Sequence, residues 1–195
     1  MAAEIVSGAS HLPTVEELDR MSAPEFVASV APLFEGAPRF LGRLAAARPF
    51  GLAKALFDRA RTIAAAMTPN EQIELIDAHP RLGAPPASVS ARSFVEQGFD
   101  RDAAAARHAA DEAERQRVRA ELDRLNAEYE ARFGFRYCVF VAGRPRAALI
   151  AGMEVALGAE REDEVRRALD AVVDIAADRW ATARAGGTAG RTDRR

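Results

Sequence analysis

Phe135-Arg136-Tyr137-Cys138-Val139-Phe140-Val141 is the one run in the chain that reads as a β-strand, and Gly143-Arg144-Pro145 stops it. One strand has nothing to pair with. The run is therefore expected to cross the molecule as an extended segment, and the ordered remainder has to be helix. Abundant Ala, with one Trp and two Tyr, favours that state. At 195 residues, 49% of them hydrophobic, the chain can bury one sizeable core. The expected fold is all-α: a single-domain bundle of about seven or eight helices with one extended crossing segment.

Three capping boxes mark helix starts. They are Thr14 with Glu17, Ser22 with Glu25 (Pro24 in the first turn), and Thr68 with Glu71 (Pro69 at the first helical position). Phe26, Val27, Val30, Leu33 and Phe34 form a stripe of 3.6-residue period that Gly36 and Pro38 end. A short helix is expected over 39–46, a turn at Arg48-Pro49-Phe50-Gly51, and a helix over 52–67. The stretch from Asp100 to Arg132 reads as a charged helix or helix pair carrying Val118, Leu122, Leu125 and Tyr129, with Gly134 as its cap. A helix over 146–157 closes at Gly158. The last helix, about 161–180, has the cleanest stripe: Val165, Leu169, Val172, Val173, Ala176 and Trp180. The expected division is a flexible lead (1–13), a helical domain (14–182) and a disordered tail (183–195).

A net charge of −2, with bases interleaved among acids, argues against nucleic acid or an anionic membrane as the main partner. One cysteine excludes an intrachain disulfide and a cysteine-based zinc site. The N-terminus lacks a basic and apolar leader pattern, and no window reaches the length of a membrane span. These features point to a cytoplasmic protein.

The chemistry gathers in Asp77-Ala78-His79-Pro80-Arg81-Leu82-Gly83 and Ser93-Phe94-Val95-Glu96-Gln97. The residue before a proline is pushed out of the α region, so the helix opened at Thr68 should stop near His79. The imidazole then sits at a helix C-terminus, where the dipole favours its protonated form. Ser93, Glu96 and Gln97 are three and four apart and share one helical face. A carboxylate within reach of His79 tunes an imidazole for proton transfer. Taken singly, these residues also read as a C-capping donor, a capping hydroxyl and a solvated Glu-Gln pair. Arg179 is either a surface residue of the last helix or, if it faces the His79 loop, a planar clamp for a carboxylate or ureido oxygen. The pattern does not choose. No metal site or phosphate loop is present in the motifs.

These residues resemble a known family. Phe26 through Glu35, Ala47-Arg48-Pro49-Phe50, His79-Pro80-Arg81-Leu82-Gly83, Ser93-x-x-Glu96-Gln97 and Leu125-Asn126-x-x-Tyr129-x-x-Arg132-Phe133-Gly134-Phe135 occur in the order found in the 2-oxo-4-hydroxy-4-carboxy-5-ureidoimidazoline (OHCU) decarboxylases, enzymes of urate breakdown. Glu164, Ala168-Leu169 and Ile175 through Arg179 complete the match, which covers roughly residues 22–182. The resemblance implies an all-α, cofactor-free carboxy-lyase, usually a homodimer, that releases (S)-allantoin. It assigns His79 and Glu96 as catalytic, and Pro80, Ser93, Gln97, Tyr137, Cys138 and Arg179 as substrate-binding, with Tyr137 and Cys138 acting through their backbone.

The sequence departs from the family at several positions. Phe-Gly-Phe is followed by Arg136-Tyr137 in place of Pro-Phe, Ala156 replaces an arginine, and Asp178 replaces the usual Leu before Arg179. The loop between His79 and Glu96 is also short. The alternatives are a paralogue acting on another ureido acid and a non-catalytic helical binding module. The second requires Arg179 in solvent and no closed pocket at His79. Whether His79 acts first as base or as acid is not readable at this level.

Overall fold

A computed structural model of the chain describes residues 12–84, 90, 93, 96, 97 and 109–189. Among the described residues there are eight α-helices, one 3-10 helix and no strand. In chain order the helices are α1 (Val15–Arg20), α2 (Ala23–Val30), the 3-10 turn (Ala31–Leu33), α3 (Pro38–Ala46), α4 (Ala53–Ala66), α5 (Pro69–Asp77), α6 (Ala109–Phe133), α7 (Ala147–Leu157) and α8 (Arg161–Ala189). Residues 135–141 run extended between α6 and α7, as a lone strand-like sequence should.

The helix starts are local in origin. Glu17 accepts from the Thr14 N–H at 2.7 Å while Thr14 accepts from the Glu17 N–H at 3.2 Å. Glu25 and Glu71 accept in the same way from the N–H groups of Ser22 and Thr68, at 2.9 and 3.0 Å. Gly134, at φ 78°, ends α6 by returning its N–H to the Glu130 carbonyl at 2.9 Å. That left-handed backbone suits a residue without Cβ.

α8 is the axis of the bundle, packing against α4, α5 and the 3-10 turn, while α6 packs on α7. All six stripe residues of α8 are buried, Val172, Val173 and Ala176 completely. They share a single core with Phe26 and Val30 from α2, Leu33 from the 3-10 turn, and Leu75 and Ile76 from α5.

Three boundaries differ from the sequence reading. Leu12, placed above in a flexible lead, is buried in the core, because its side chain has apolar neighbours to meet. The stripe of α2 does not run on as α-helix to Phe34. Pro32 lacks the N–H that an α ladder would use, and the chain tightens into the 3-10 turn Ala31–Leu33. α8 continues to Ala189, past residue 180; Ala and Arg keep helical preference as far as residue 185 after the apolar stripe has stopped. The part of the expected helix pair over 100–108 lies outside the described residues.

Burial separates the contacts that hold this fold from those that decorate it. Phe40 is fully buried, its ring 4.8 Å from that of Phe34. Phe40→Ala is expected to cost about 3–5 kcal/mol of unfolding free energy in urea titrations. Lys54 and Asp58 approach to 2.6 Å, but in solvent. Lys54→Ala should therefore change the same measurement by less than about 1 kcal/mol.

Candidate active site

α5 ends at Asp77 with Ala78 as its cap, and His79 follows, turned out of the helix by Pro80. Arg136 from the extended segment holds this end. Its backbone N–H donates to Asp77 Oδ1 at 2.8 Å, and its Nη1 donates to the carbonyls of Asp77 at 2.7 Å and His79 at 3.1 Å. A proline at position 136 has no N–H for the first of these bonds. The departure noted at Arg136 thus ties the extended segment to the histidine.

His79, Pro80, Ser93, Glu96, Gln97, Tyr137, Cys138 and Arg179 all line one cavity of about 680 Å³. Its other walls are largely apolar, from Leu82, Val139, Val141 and Ile175. Arg179 is 4% exposed, so the arrangement that a non-catalytic module required, with this arginine in solvent, is absent.

His79 is 4% exposed, and neither ring nitrogen hydrogen-bonds a described residue. Burial pushes its pKa down to about 4, and the positive charge of Arg179 adds to the effect. Glu35 pulls the other way, as does the Leu75 carbonyl, which closes no sound hydrogen bond with the ring. The protonated imidazole expected from the helix dipole is overturned. His79 is neutral at pH 7.

The direct His79–Glu96 pair is also absent, because Glu96 has a stronger partner. Arg179 Nε donates to Glu96 Oε1 at 2.6 Å and Nη2 to Oε2 at 2.8 Å, a bidentate charged pair that a neutral imidazole cannot displace. Nη1 donates to the Pro32 and Leu33 carbonyls at 3.1 and 3.2 Å. Nη2 also reaches Glu35 Oε1 at 2.7 Å and Ser93 Oγ at 3.2 Å. Every N–H of the guanidinium is engaged. Arg179 thereby joins α8 and the 3-10 turn to Ser93 and Glu96.

Gln97 faces the loop after His79. Its Oε1 accepts from the Gly83 N–H at 2.8 Å and its Nε2 donates to the Arg81 carbonyl at 3.3 Å. Gly83 has φ 77°, and a Cβ there would meet Leu122 at 3.2 Å, so both conformation and space favour glycine. Asn126, buried, holds the Leu82 carbonyl at 2.9 Å. On the opposite wall, Arg167 Nη1 donates to the Cys138 carbonyl at 2.8 Å and its guanidinium lies 4.6 Å from the Tyr137 ring centre. Arg167 is set by Glu164 at 2.9 Å, which also accepts from the Tyr129 hydroxyl at 2.7 Å. Burial pushes the Cys138 thiol up to about 12, so it is no nucleophile at neutral pH. Among the described residues no cluster of His, Cys, Asp and Glu has metal-binding geometry.

Sequence reasoning gave no role to Glu35, Arg167 or Arg136. Glu35 reads as the polar end of an apolar stripe. The other two look like surface charges until the tertiary contacts are formed.

A sequence profile of a family described as OHCU decarboxylase matches residues 19–181. The 2-oxo-4-hydroxy-4-carboxy-5-ureidoimidazoline decarboxylase of Haloferax volcanii is 29% identical over 166 residues, covering 85% of this chain and 93% of that protein. The uric acid degradation bifunctional protein PucL of Bacillus subtilis is 30% identical over 168 residues, 86% of this chain but 32% of that protein. A uric acid degradation bifunctional protein from a Bacillus species is 26% identical over 83% of this chain and 30% of its own length, so the chain spans about a third of these two relatives. A crystal structure of OHCU decarboxylase in the presence of (S)-allantoin superimposes with a TM-score of 0.59 at 20% identity, over 80% of this chain and 96% of that one. A crystal structure of (S)-allantoin synthase gives the same score at 19% identity, over 88% and 54%. At these identities the two structures speak for the fold.

The neutral, buried His79 has a consequence for stability. Its folded pKa of about 4 lies below the unfolded 6.5, so between these values the unfolded chain binds a proton that the native chain does not. Stability should therefore fall as pH drops through that window, by up to roughly 3 kcal/mol from this group. Urea unfolding at about pH 7 and about pH 4.5 should show the loss in wild type. His79→Asn should show a shallower dependence. Equal slopes for the two proteins would rule out a buried neutral imidazole.

Proposed function

The chain belongs to the OHCU decarboxylase family, and from that premise we propose that it decarboxylates 2-oxo-4-hydroxy-4-carboxy-5-ureidoimidazoline to (S)-allantoin in urate degradation, without a cofactor. The observation that carries this reading is a buried neutral imidazole with no hydrogen bond to a described residue, in a cavity beside an arginine-held carboxylate. Such a group is a base at rest, ready to accept a proton before it gives one.

The assigned catalytic pair is His79 and Glu96, joined through the substrate rather than to each other. The substrate carboxylate leaves as CO2 and its bonding pair moves into the ring C=N, whose nitrogen takes up a proton. His79 takes the 4-hydroxyl proton as that oxygen becomes a carbonyl. It then returns a proton to the ureido-bearing carbon from one face, which gives a single enantiomer. Glu96 keeps lone pairs for substrate N–H groups after accepting from Arg179. Ser93 and Gln97 hold the polar rim, the Tyr137 and Cys138 backbone meets the ring, and Pro80 shapes the wall beside His79. Arg179 binds substrate when one of its longest contacts, to Ser93 or to the Leu33 carbonyl at 3.2 Å, gives way.

A second reading, a paralogue for another ureido acid, is favoured by Asp178, which places an exposed carboxylate on the cavity rim. The homodimer implied by the resemblance and the cytoplasmic location expected from the sequence belong to this proposal. α7 supports a homodimer by exposing Ala148, Ala151 and Val155, the last by 78%. Val155→Asp should shift sedimentation velocity towards the monomer. An unshifted dimer would remove α7 from the interface.

Purified protein given freshly generated OHCU should yield optically active (S)-allantoin, followed by circular dichroism, where uncatalysed decay yields the racemate. His79→Ala should lower the rate roughly 100- to 10,000-fold with the helical spectrum unchanged. Racemic product at the uncatalysed rate from wild type sinks the decarboxylase reading. Turnover of ureidoglycolate-type compounds in its place would support the paralogue.

A further inference from the structure

The Arg179 cluster contains a residue that the reading above does not use. Glu35 follows the 3-10 turn at φ 49°, a left-handed backbone that side chains with a Cβ enter at a cost, while the next residue, Gly36, takes φ 80° freely. Glu35 does not line the cavity, yet its side chain is only 15% exposed. Three donors converge on its Oε1: Arg179 Nη2 at 2.7 Å, the Ser93 hydroxyl at 2.9 Å and the Ser90 hydroxyl at 3.1 Å. Burial raises its pKa, but the charge and hydrogen bond of Arg179 outweigh this and hold it below the usual carboxylate range. Two of those donors, Arg179 and Ser93, line the cavity on their other side.

We propose that Glu35 is a positioning residue of this site: from behind Arg179 it fixes the guanidinium and the Ser93 hydroxyl, and through Arg179 it fixes Glu96. Without it, Nη2 keeps only Glu96, whose side chain is 28% exposed, and a Ser93 hydroxyl that has lost its own acceptor, so that edge of the guanidinium is held less firmly. The left-handed backbone lets the carbonyls of Pro32 and Leu33 and the carboxylate of Glu35 reach one guanidinium from a single turn.

The activity arm of the test rests on the decarboxylase reading and the spectroscopic arm does not. Glu35→Gly removes the carboxylate while relieving the backbone, so the loss of the buried partner is offset only in part and the melting temperature should fall with the fold retained. Turnover should fall roughly ten- to a hundredfold with KM changing less, and Glu35→Asp should recover part of it. In NMR, the Arg179 Nε–H that bonds Glu96 should exchange slowly in wild type and about tenfold faster in Glu35→Gly. Should that variant fail to fold, Glu35→Gln, equal in size, is read in the same two ways. Wild-type turnover and exchange in the variant overturn the proposal, and so does a change in one reading without the other. If wild type itself is inactive on OHCU, the decarboxylase reading falls and exchange alone judges Glu35.

Discussion

The site depends on keeping one guanidinium charged inside the protein. Arg179 is a buried residue of α8, and its charge there is tolerable only because each N–H finds an acceptor. Those acceptors come from positions 32, 33, 35 and 96, so satisfying one side chain fixes three separate parts of the chain. Buried ion pairs of this kind contribute little net stability once desolvation is counted. What this one supplies is geometry, because a planar fork accepts its partners in few orientations.

The electrostatics of His79 follow from the same cluster and reverse a rule that works at the surface. A helix C-terminus favours a cation by about 0.3–1 kcal/mol. The shift of His79 from 6.5 to about 4 corresponds to roughly 3 kcal/mol in the other direction. Burial and a neighbouring guanidinium therefore win. The dipole is also blunted where it would act, since Arg136 already occupies the carbonyls of Asp77 and His79. The result is a base that stays neutral at pH 7 and has no hydrogen bond to a described residue to lose when a substrate arrives.

The sequence made legible what is decided within a few residues. The capping boxes, the stripe of α8, the stop at His79 and the single extended run are all local, and they appear where the pattern places them. The Gln97 N–H bond to the Ser93 carbonyl, at 2.9 Å, is local too. The His79–Glu96 pairing was not legible, because the competitor for Glu96 lies 83 residues away on α8. Glu35 was hidden for the same reason, its partner being 144 residues distant. Arg167 looks like one more charge on an exposed helix until it meets the Cys138 carbonyl 29 residues back. Gathering the candidate residues needed their order along the chain, and assigning their contacts needed the fold.

That contrast explains why the strained residue in the cluster is acidic rather than glycine. The chain turns at 35–36 directly after the two backbone carbonyls that reach Arg179, with position 35 in the left-handed region. A glycine there would relax the backbone but leave Arg179 with one carboxylate, Glu96, whose side chain is 28% exposed. A buried charge whose only counter-ion is partly solvated is poorly fixed, and the carboxylate it is meant to hold beside His79 moves with it. Backbone strain of about 1–2 kcal/mol at one residue is smaller than the penalty of leaving a buried guanidinium short of a partner. The chain therefore keeps a side chain where its own backbone would prefer none, because the alternative loosens the charge on which the cavity is built.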